Sequence, residues 1–323
     1  VTAISYHDTV KDCTDPVYWG DGPFSRHGWF ELLEKAGHLP FLAMVRDDED
    51  TLLLPLERED DTLAPLTNWY VFTWSPIGEI RLIAPLVQDL VGRADRFAFR
   101  KLPEEDGVTK LLAEAFADAG WFTDLRRDDV NHILPLAGRN YDEYLASRPG
   151  PLRSTIKRKA ARLDVTVCDR FNAEDWAAYE VIYSASWKPH EGDPALLRAF
   201  AIMESDAGRY RFAIARHEGR PVAAQFWTVD GGTAYIHKLA HRRDADSLSP
   251  GTVLTAALMK QVIDLDAVEM VDFGTGDDAY KRDWMEQTRT RWSLTCVNPR
   301  APRNWPRIAK ARAAKLVYGT RDG

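Results

Sequence analysis

One order of elements can be read twice along this chain: helix, antiparallel hairpin, strand, helix, strand. That repetition constrains the fold most, because each half must bury its helices against a mixed sheet, which makes the fold class α/β. A length of 323 residues suits two such domains. In the first half, a helix is expected over Phe24–Ala36, followed by a hairpin of Pro40–Arg46 and Thr51–Glu57 around the acidic turn Asp47–Asp50. Strands are expected at Trp69–Trp74, near Arg96–Lys101 and at Asn131–Pro135, and helices at Pro85–Val91 and Val108–Ala119.

The second half repeats the pattern. It opens with the strand Val165–Cys168 and a helix Ala173–Trp187 capped by Asn172; a helix Pro194–Asp206 and a hairpin Arg211–Arg216 with Pro221–Val229 come next. A third strand, Thr233–Ala240, precedes a helix Thr252–Leu265 and a strand Val268–Phe273; a short helix near Tyr280, a strand Thr288–Val297 and a basic terminal helix complete the half. No residue-level repeat accompanies the shared order. Arg148-Pro149-Gly150-Pro151 interrupts the helical stretch between the halves, which places the expected domains at 1–150 and 151–323.

Composition narrows the classes. With 42 basic and 49 acidic side chains the net charge is −7, which argues against a general nucleic-acid binder. Cys13, Cys168 and Cys296 lie far apart and form no C-x-x-C pair, so they read as buried thiols in a reducing compartment, and no metal site is expected. The chain contains no apolar run of membrane-spanning length and no N-terminal signal pattern, so a cytoplasmic location is expected.

Two junctions carry the chemistry. Pro250-Gly251-Thr252 opens a helix after the polar loop His241–Ser249; exposed first-turn amides beside a residue lacking Cβ form an anion site, and an ordinary capped helix is the alternative. Gly274, Gly276 and Ala279 formally fit the dinucleotide fingerprint G-x-G-x-x-A. That reading fails because the following helix stops near Met285 and the next strand offers Thr295, Cys296, Val297 and Asn298 where an acid is required. The glycines instead permit a tight turn that aims Asp277, Asp278, Tyr280 and Lys281 towards a common cleft. The chain has neither a phosphate loop of the form G-x-x-x-x-G-K-S/T nor a G-x-S-x-G nucleophile elbow. The basic cluster Arg153, Lys157, Arg158, Lys159 and Arg162 reads as a solvated helix, or as a dock for a phosphate-bearing tail. Trp69, Tyr70, Phe72 and Trp74 read as the packing of an edge hairpin rather than as a substrate groove.

At these residues the sequence resembles the GNAT superfamily of acyltransferases, specifically a CelD-type group related to the FemAB transferases. The likeness covers essentially the whole chain as two tandem GNAT-like halves. In the first half it rests on Trp29-Phe30 and Leu54-Pro55-Leu56; in the second, on Arg158–Leu163, Gly219-Arg220-Pro221-Val222-Ala223, His237-Lys238, Ser249-Pro250-Gly251 and Asp272–Lys281. The resemblance implies two mostly antiparallel sheets flanked by helices. It also implies transfer of an acyl group from a CoA thioester, usually acetyl-CoA as co-substrate, to an amine on a peptide, an amino sugar or a small molecule. The donor's amide arm would lie along Lys238, Leu239 and Ala240, and its pyrophosphate on Ser247, Ser249, Gly251 and Thr252. An amine must lose a proton before it attacks, so a base is needed, for which Asp277, Asp278 and His237 are the candidates. Tyr280 would protonate the departing thiolate, and Lys281 would hold negative charge. The first half lacks both the Ser-Pro-Gly and the Gly-x-Gly-Asp turn, so it is expected to be non-catalytic. Because Ser249-Pro250-Gly251 stands where the usual Q/R-x-x-G-x-G/A loop would lie, two alternatives stay open. One is FemAB-like peptide-bond formation from aminoacyl-tRNA, served by the basic helix and the tail Arg300–Arg321; the other is a non-catalytic tandem binding module.

Overall fold

The computed structural model describes residues 2–48 and 50–318, with side chains described to residue 313. Its strands are β1 Ala3–His7, β2 Pro40–Asp47, β3 Asp50–Glu59, β4 Thr62–Pro65, β5 Ile77–Gly78, β6 Arg96–Pro103, β7 Phe122–Pro135, β8 Asp164–Cys168, β9 Tyr210–His217, β10 Arg220–Asp230, β11 Thr233–His241, β12 Met270–Thr275 and β13 Gln287–Val297. Its helices are α1 His27–Lys35, α2 Ile83–Leu90, α3 Val108–Asp118, α4 Tyr141–Ala146, α5 Gly150–Lys159, α6 Ala173–Ser184, α7 Pro194–Asp206, α8 Pro250–Lys260, α9 Ala279–Trp284 and α10 Trp305–Tyr318.

The chain packs as two compact units, Val1–Asp129 with Arg289–Gly323, and Val130–Thr288. This division differs from the expected one at 150/151 for two reasons. Leu134, Leu136, Tyr141 and Tyr144 precede the Pro-Gly-Pro break yet sit in the core of the second unit. In turn β13, read from sequence as part of the second half, pairs antiparallel with β6 from Arg291↔Pro103 to Val297↔Arg96, so Leu294 and Cys296 join the core of the first.

In the first unit the strand order is β1-β2-β3-β4-β6-β13, with β5 also on β3. All of these pairs are antiparallel except β4 with β6. The expected hairpin forms in full, from Pro40↔Glu57 to Asp47↔Asp50. Residues 69–74, expected as a strand, are not one. Their carbonyls are taken by an ammonium instead of a ladder: Lys101 donates from Nζ to Val71 O at 2.5 Å and Trp69 O at 3.4 Å. Trp74 is buried and anchored by its indole Nε1–H on Pro55 O at 3.1 Å.

The second unit orders its strands β7-β12-β11-β10-β9-β8, antiparallel except for β11 with β12. Phe212 and Phe226 meet Trp176 of α6, while Ala213, Ala215 and Trp227 join the core that holds Val253, Leu254 and Leu258 of α8. Alternate strand residues therefore feed helices on opposite faces of the sheet. Asn172 caps α6 as expected, accepting from the amides of Glu174 and Asp175. The helix stops at Ser184 rather than Trp187, and α8 begins at Pro250 and passes into a π-helical turn at Gln261–Leu265.

Candidate active site

Two parallel strands that part create the site. β11 and β12 keep register over Thr233↔Met270, Ala234↔Val271 and Tyr235↔Asp272. On the β12 side, the buried Asp272 carboxylate accepts from Asn131 Nδ2 at 2.6 Å and from Gly274 N at 2.7 Å, so a side chain satisfies a backbone donor that a ladder would otherwise use. Gly274 and Gly276 then take φ of 67° and 97°, conformations that favour glycine, and the chain turns into α9. On the β11 side a bulge interrupts the pairing with β10 between Phe226↔Lys238 and Trp227↔Ile236, with His237 as the extra residue.

The bulge decides which side chains reach the cleft. His237 packs against Phe226 and Phe200 at ring-centroid distances of 5.1 Å each and pairs through Nε2 with Thr228 Oγ1 at 2.8 Å. Burial, then Lys238, push its pKa down to about 3. Lys238 donates to Glu191 Oε1 at 2.7 Å, and Tyr179 OH donates to the other oxygen at 3.0 Å. Burial lowers the Lys238 pKa to about 8 against the opposing pull of Glu191. Leu239 and His241, beyond the bulge, face the start of α8: a Cβ at Gly251 would stand 3.4 Å from Leu239 Cδ1 and 3.5 Å from His241 Nδ1.

The start of α8 is fixed from below. Ser249 holds a left-handed φ of 50° and Pro250 occupies the first turn. Gln225, fully buried on β10, donates to Gly251 O at 3.0 Å and to Thr255 Oγ1 at 2.7 Å while accepting from Trp227 Nε1 at 2.8 Å. Every polar atom in this network has a partner, so it holds the helix start rigidly over the sheet.

A cleft of about 340 Å³ lies between these parts, walled by Leu239, His241, Ser249–Thr252, Trp187 and Leu152 on one side and Tyr280, Asp283 and Trp284 of α9 on the other. Tyr280 is 44% exposed as a residue; burial of its phenol, then Asp278, raise its pKa to about 12. A second cavity of about 250 Å³ lies by the α6–α7 connection, bounded by Trp176, Tyr179, Tyr183, Lys188, Glu191 and Leu197.

Of the residues expected at the site, the cleft gathers Leu239, Ser249, Gly251, Thr252 and Tyr280. The others lie elsewhere. Ala240 is fully buried, and Ser247 uses its carbonyl to accept from Lys159 Nζ at 2.8 Å. Lys281 is buried, with Nζ donating to Thr275 O at 2.5 Å inside the turn. Asp277 pairs with Arg282 at 2.6 Å and with His132 Nε2 at 3.1 Å, and these partners hold its carboxyl below the usual range. His237 and Lys238 face α6 and α7 rather than the cleft. Sequence reasoning missed Trp187 and Leu152 as wall residues, and Gln225 altogether; the signal for Gln225 was a polar residue inside the apolar run Val222–Trp227. Among the described residues, no group of three or more His, Cys, Asp or Glu is placed to hold a metal ion, and no helix is long and apolar enough to cross a membrane.

Comparison with known proteins gives this geometry its relatives. Residues 146–282 match the family described as "Acetyltransferase (GNAT) domain". The fold is similar to that of the C-terminal domain of a putative lysylphosphatidylglycerol synthetase from Agrobacterium fabrum, with a TM-score of 0.60 at 16% identity over 95% of this chain and 94% of that one. It is similar to FemX, with a TM-score of 0.63 at 11% identity over 90% and 96% of the two chains. It is also similar to a tandem GNAT protein from the clavulanic acid biosynthesis pathway, with a TM-score of 0.53 at 12% identity over 92% and 99%. A search of curated protein sequences found no match. Parted parallel strands and the matching domain over 146–282 agree: this stretch is similar to a GNAT acetyltransferase domain, and the chain as a whole is similar in fold to FemX and to the tandem GNAT protein.

Proposed function

We propose that the second unit moves an acyl group, acetyl or longer, from a CoA thioester to an amine, and that the first unit is non-catalytic. The observation that carries this reading is the convergence of the parted strand β11, the Pro250-led helix start and the phenol of Tyr280 on one cleft. Gly251 and Thr252 would meet the donor's pyrophosphate with first-turn amides, where the partial positive charge of a helix start favours an anion. The basic face of α5, whose Lys159 donates to the Ser247 carbonyl, would meet a phosphate-bearing tail. Leu239 and Ala240 would run beside the donor's amide arm, and a backbone amide would stabilise the oxyanion. Tyr280, protonated throughout the neutral range, would donate its proton to the leaving thiolate.

The acceptor is a peptide, an amino sugar or a small amine, within a CelD-type group and a cytoplasmic setting. Thermal unfolding with acetyl-CoA, longer acyl-CoAs and free CoA tests the donor. A ligand at 100 times its dissociation constant adds about 2.7 kcal/mol. A shift with a thioester supports the reading; the absence of a shift with all of them removes it. The same basic face favours one second reading, transfer of an amino acid from aminoacyl-tRNA as in FemAB proteins, which predicts stabilisation by charged tRNA instead.

A further inference from the structure

The cavity beside the α6–α7 connection is not used by the donor, and its polar groups are unevenly satisfied. Trp176, Tyr179, Glu180, Tyr183 and Ser184 recur at i, i+3, i+4, i+7 and i+8, so one face of α6 forms most of its wall, and Pro194 and Leu197 of α7 complete it. Both carboxylates in the wall are engaged. Glu180 accepts from Trp176 Nε1 at 3.0 Å, while Glu191 accepts from Lys238 Nζ at 2.7 Å and from Tyr179 OH at 3.0 Å. Two donors are not engaged. Tyr183 is 7% exposed, yet its OH has no hydrogen-bond partner among the described residues. The partly buried Lys188 ammonium has neither a hydrogen bond nor an ion pair among them, only the Trp187 ring at 5.9 Å. Burial, then Glu191, push the Tyr183 pKa up to about 12, so the phenol keeps its proton at neutral pH. Burial lowers the Lys188 pKa against the opposing pull of Asp278 and Glu191. A cation drawn out of water without a partner is costly, and an anion beside it offsets that cost. Two unfilled donors in the wall of an aromatic cavity fit a carboxylate carried on an apolar body.

The cavity adjoins the gap in the sheet. Lys238, which Glu191 holds, stands three residues beyond the last β11–β12 pair, Tyr235↔Asp272, where the strands have parted. Trp187 walls the donor cleft and the next residue, Lys188, walls the cavity, so an anion on Lys188 lies at the boundary of the two. The Asp278 carboxylate makes no cap bond to α9, and its charge acts on both Lys188 and Tyr280, one on each side of that boundary.

We propose that the cavity takes the acceptor, and that the acceptor is a free α-amino acid with an apolar or aromatic side chain. Its carboxylate rests on Lys188 and Tyr183, its side chain packs against Trp176, Tyr179 and Leu197, and its amine enters the gap beside Asp278. This rests on the acyl-transfer reading. Because Lys188 stands at the cleft side of the cavity, the amine must lie within a bond or two of the carboxylate. An amino sugar has no carboxylate to give Lys188, and the C-terminal carboxylate of a peptide is remote from its α-amine. In the transfer the nitrogen bonds to the thioester carbonyl carbon, and the carbon–sulfur bond breaks with its electron pair leaving on sulfur. Of the three ammonium hydrogens, one stays on the amide, one replaces the proton that Tyr280 gives to sulfur, and one is released to solvent.

The test compares acceptors that keep or lose one group. With an acyl-CoA as donor, phenylalanine and leucine should be acylated with kcat/KM at least about tenfold above phenylalaninamide and phenethylamine, which lack the carboxylate. Hydrocinnamate, which has the ring and carboxylate without the amine, should compete with phenylalanine. Lys188→Met, which keeps the length of the side chain, should raise the phenylalanine KM about 30-fold, leave the acyl-CoA KM within about threefold and erase the preference for phenylalanine over its amide. Tyr183→Phe should raise the phenylalanine KM about fivefold. Calorimetric titration with phenylalanine, which needs no turnover, should show the same loss in Lys188→Met. An active enzyme that does not prefer phenylalanine or leucine to the two amines, or a Lys188→Met variant that keeps the parent's phenylalanine KM, overturns the acceptor site and leaves acyl transfer standing. Phenylalanine binding that depends on Lys188, without transfer from any thioester, overturns acyl transfer and leaves the carboxylate site standing. A parent protein that neither binds phenylalanine nor acylates any amine overturns both.

Discussion

At the residue scale, Tyr280 has the narrowest task. Burial raises its pKa to about 12, so the phenol keeps its proton throughout the neutral range and is available as the donor that the proposed transfer needs at the leaving sulfur. Tyr280→Phe should therefore lower kcat on the order of 100-fold while donor affinity changes less than twofold, because the ring that packs in the cleft is retained. Steady-state kinetics beside calorimetric titration of the donor separates the two quantities; a variant with full kcat removes Tyr280 from the chemistry. The sequence made the turn Gly274-Thr275-Gly276 and the short helix after it legible, and Tyr280 of that helix lines the cleft. The sequence could not place His237. Strict alternation puts His237, Leu239 and His241 on one face of the strand, and only the bulge opposite Phe226 and Trp227 turns His237 away while Leu239 and His241 look into the cleft. A bulge depends on how two strands pair, and that information is not written in either strand alone.

At the element scale, the start of α8 and the end of α9 are each held by buried polar groups. Gln225→Ala would strand the buried Trp227 Nε1, while Gly251 O keeps Thr255 Oγ1 at 2.9 Å; a donor left unsatisfied in a core costs about 1–3 kcal/mol. Chemical denaturation should show that loss, and donor affinity should fall with it because the amides of Gly251 and Thr252 lose their fixed aim; unchanged affinity would mean that the helix start does not hold the donor. At α9 the end of the helix is clamped by Glu286, which accepts from Arg139 at 2.8 and 2.9 Å and from the buried Arg148, while Tyr144 OH holds Trp284 O at 2.9 Å. Glu286→Gln leaves Arg148 without its carboxylate and should cost about 2 kcal/mol. The arginines, Arg139 foremost, hold the Glu286 carboxyl below its ordinary value. Its contribution is thus complete above the unfolded value near 4.3 and disappears as pH falls through the lower folded value. The gap in Tm between parent and variant should be full at pH 6 and close as the pH drops below about 4; a gap constant with pH would show that the pairing is not electrostatic. The hairpins and the capped helix α6 were legible because apolar alternation and an Asn cap are local signals. Residues 69–74 were not, since their β-like composition is overruled by the Lys101 ammonium reaching from β6.

At the scale of the whole molecule, the two units differ in what they offer a ligand. The parted parallel pair, the Pro250-led helix and the cleft all belong to the second unit, while the parallel pair of the first, β4 with β6, runs only from Thr62↔Arg96 to Leu63↔Phe97 and opens on no Pro-Gly helix start. The repeated element order announced two similar folds, but which strand ends the chain's last sheet was hidden, because β13 pairs with a strand nearly 200 positions earlier and no local pattern records so distant a partner. If catalysis is confined to the second unit, donor binding should protect its backbone selectively. Hydrogen exchange with and without an acyl-CoA should show slowed amides in residues 239–241 and 251–255, where the helix start and strand end lose access to water, with a stabilisation of about 2.7 kcal/mol at 100 times the dissociation constant. The first unit's strands β2 and β3 should exchange at unchanged rates under conditions where local opening dominates. Protection that appears instead in the first unit would place the donor there, and the Ser249-Pro250-Gly251 turn would then be a structural cap on α8 and nothing more.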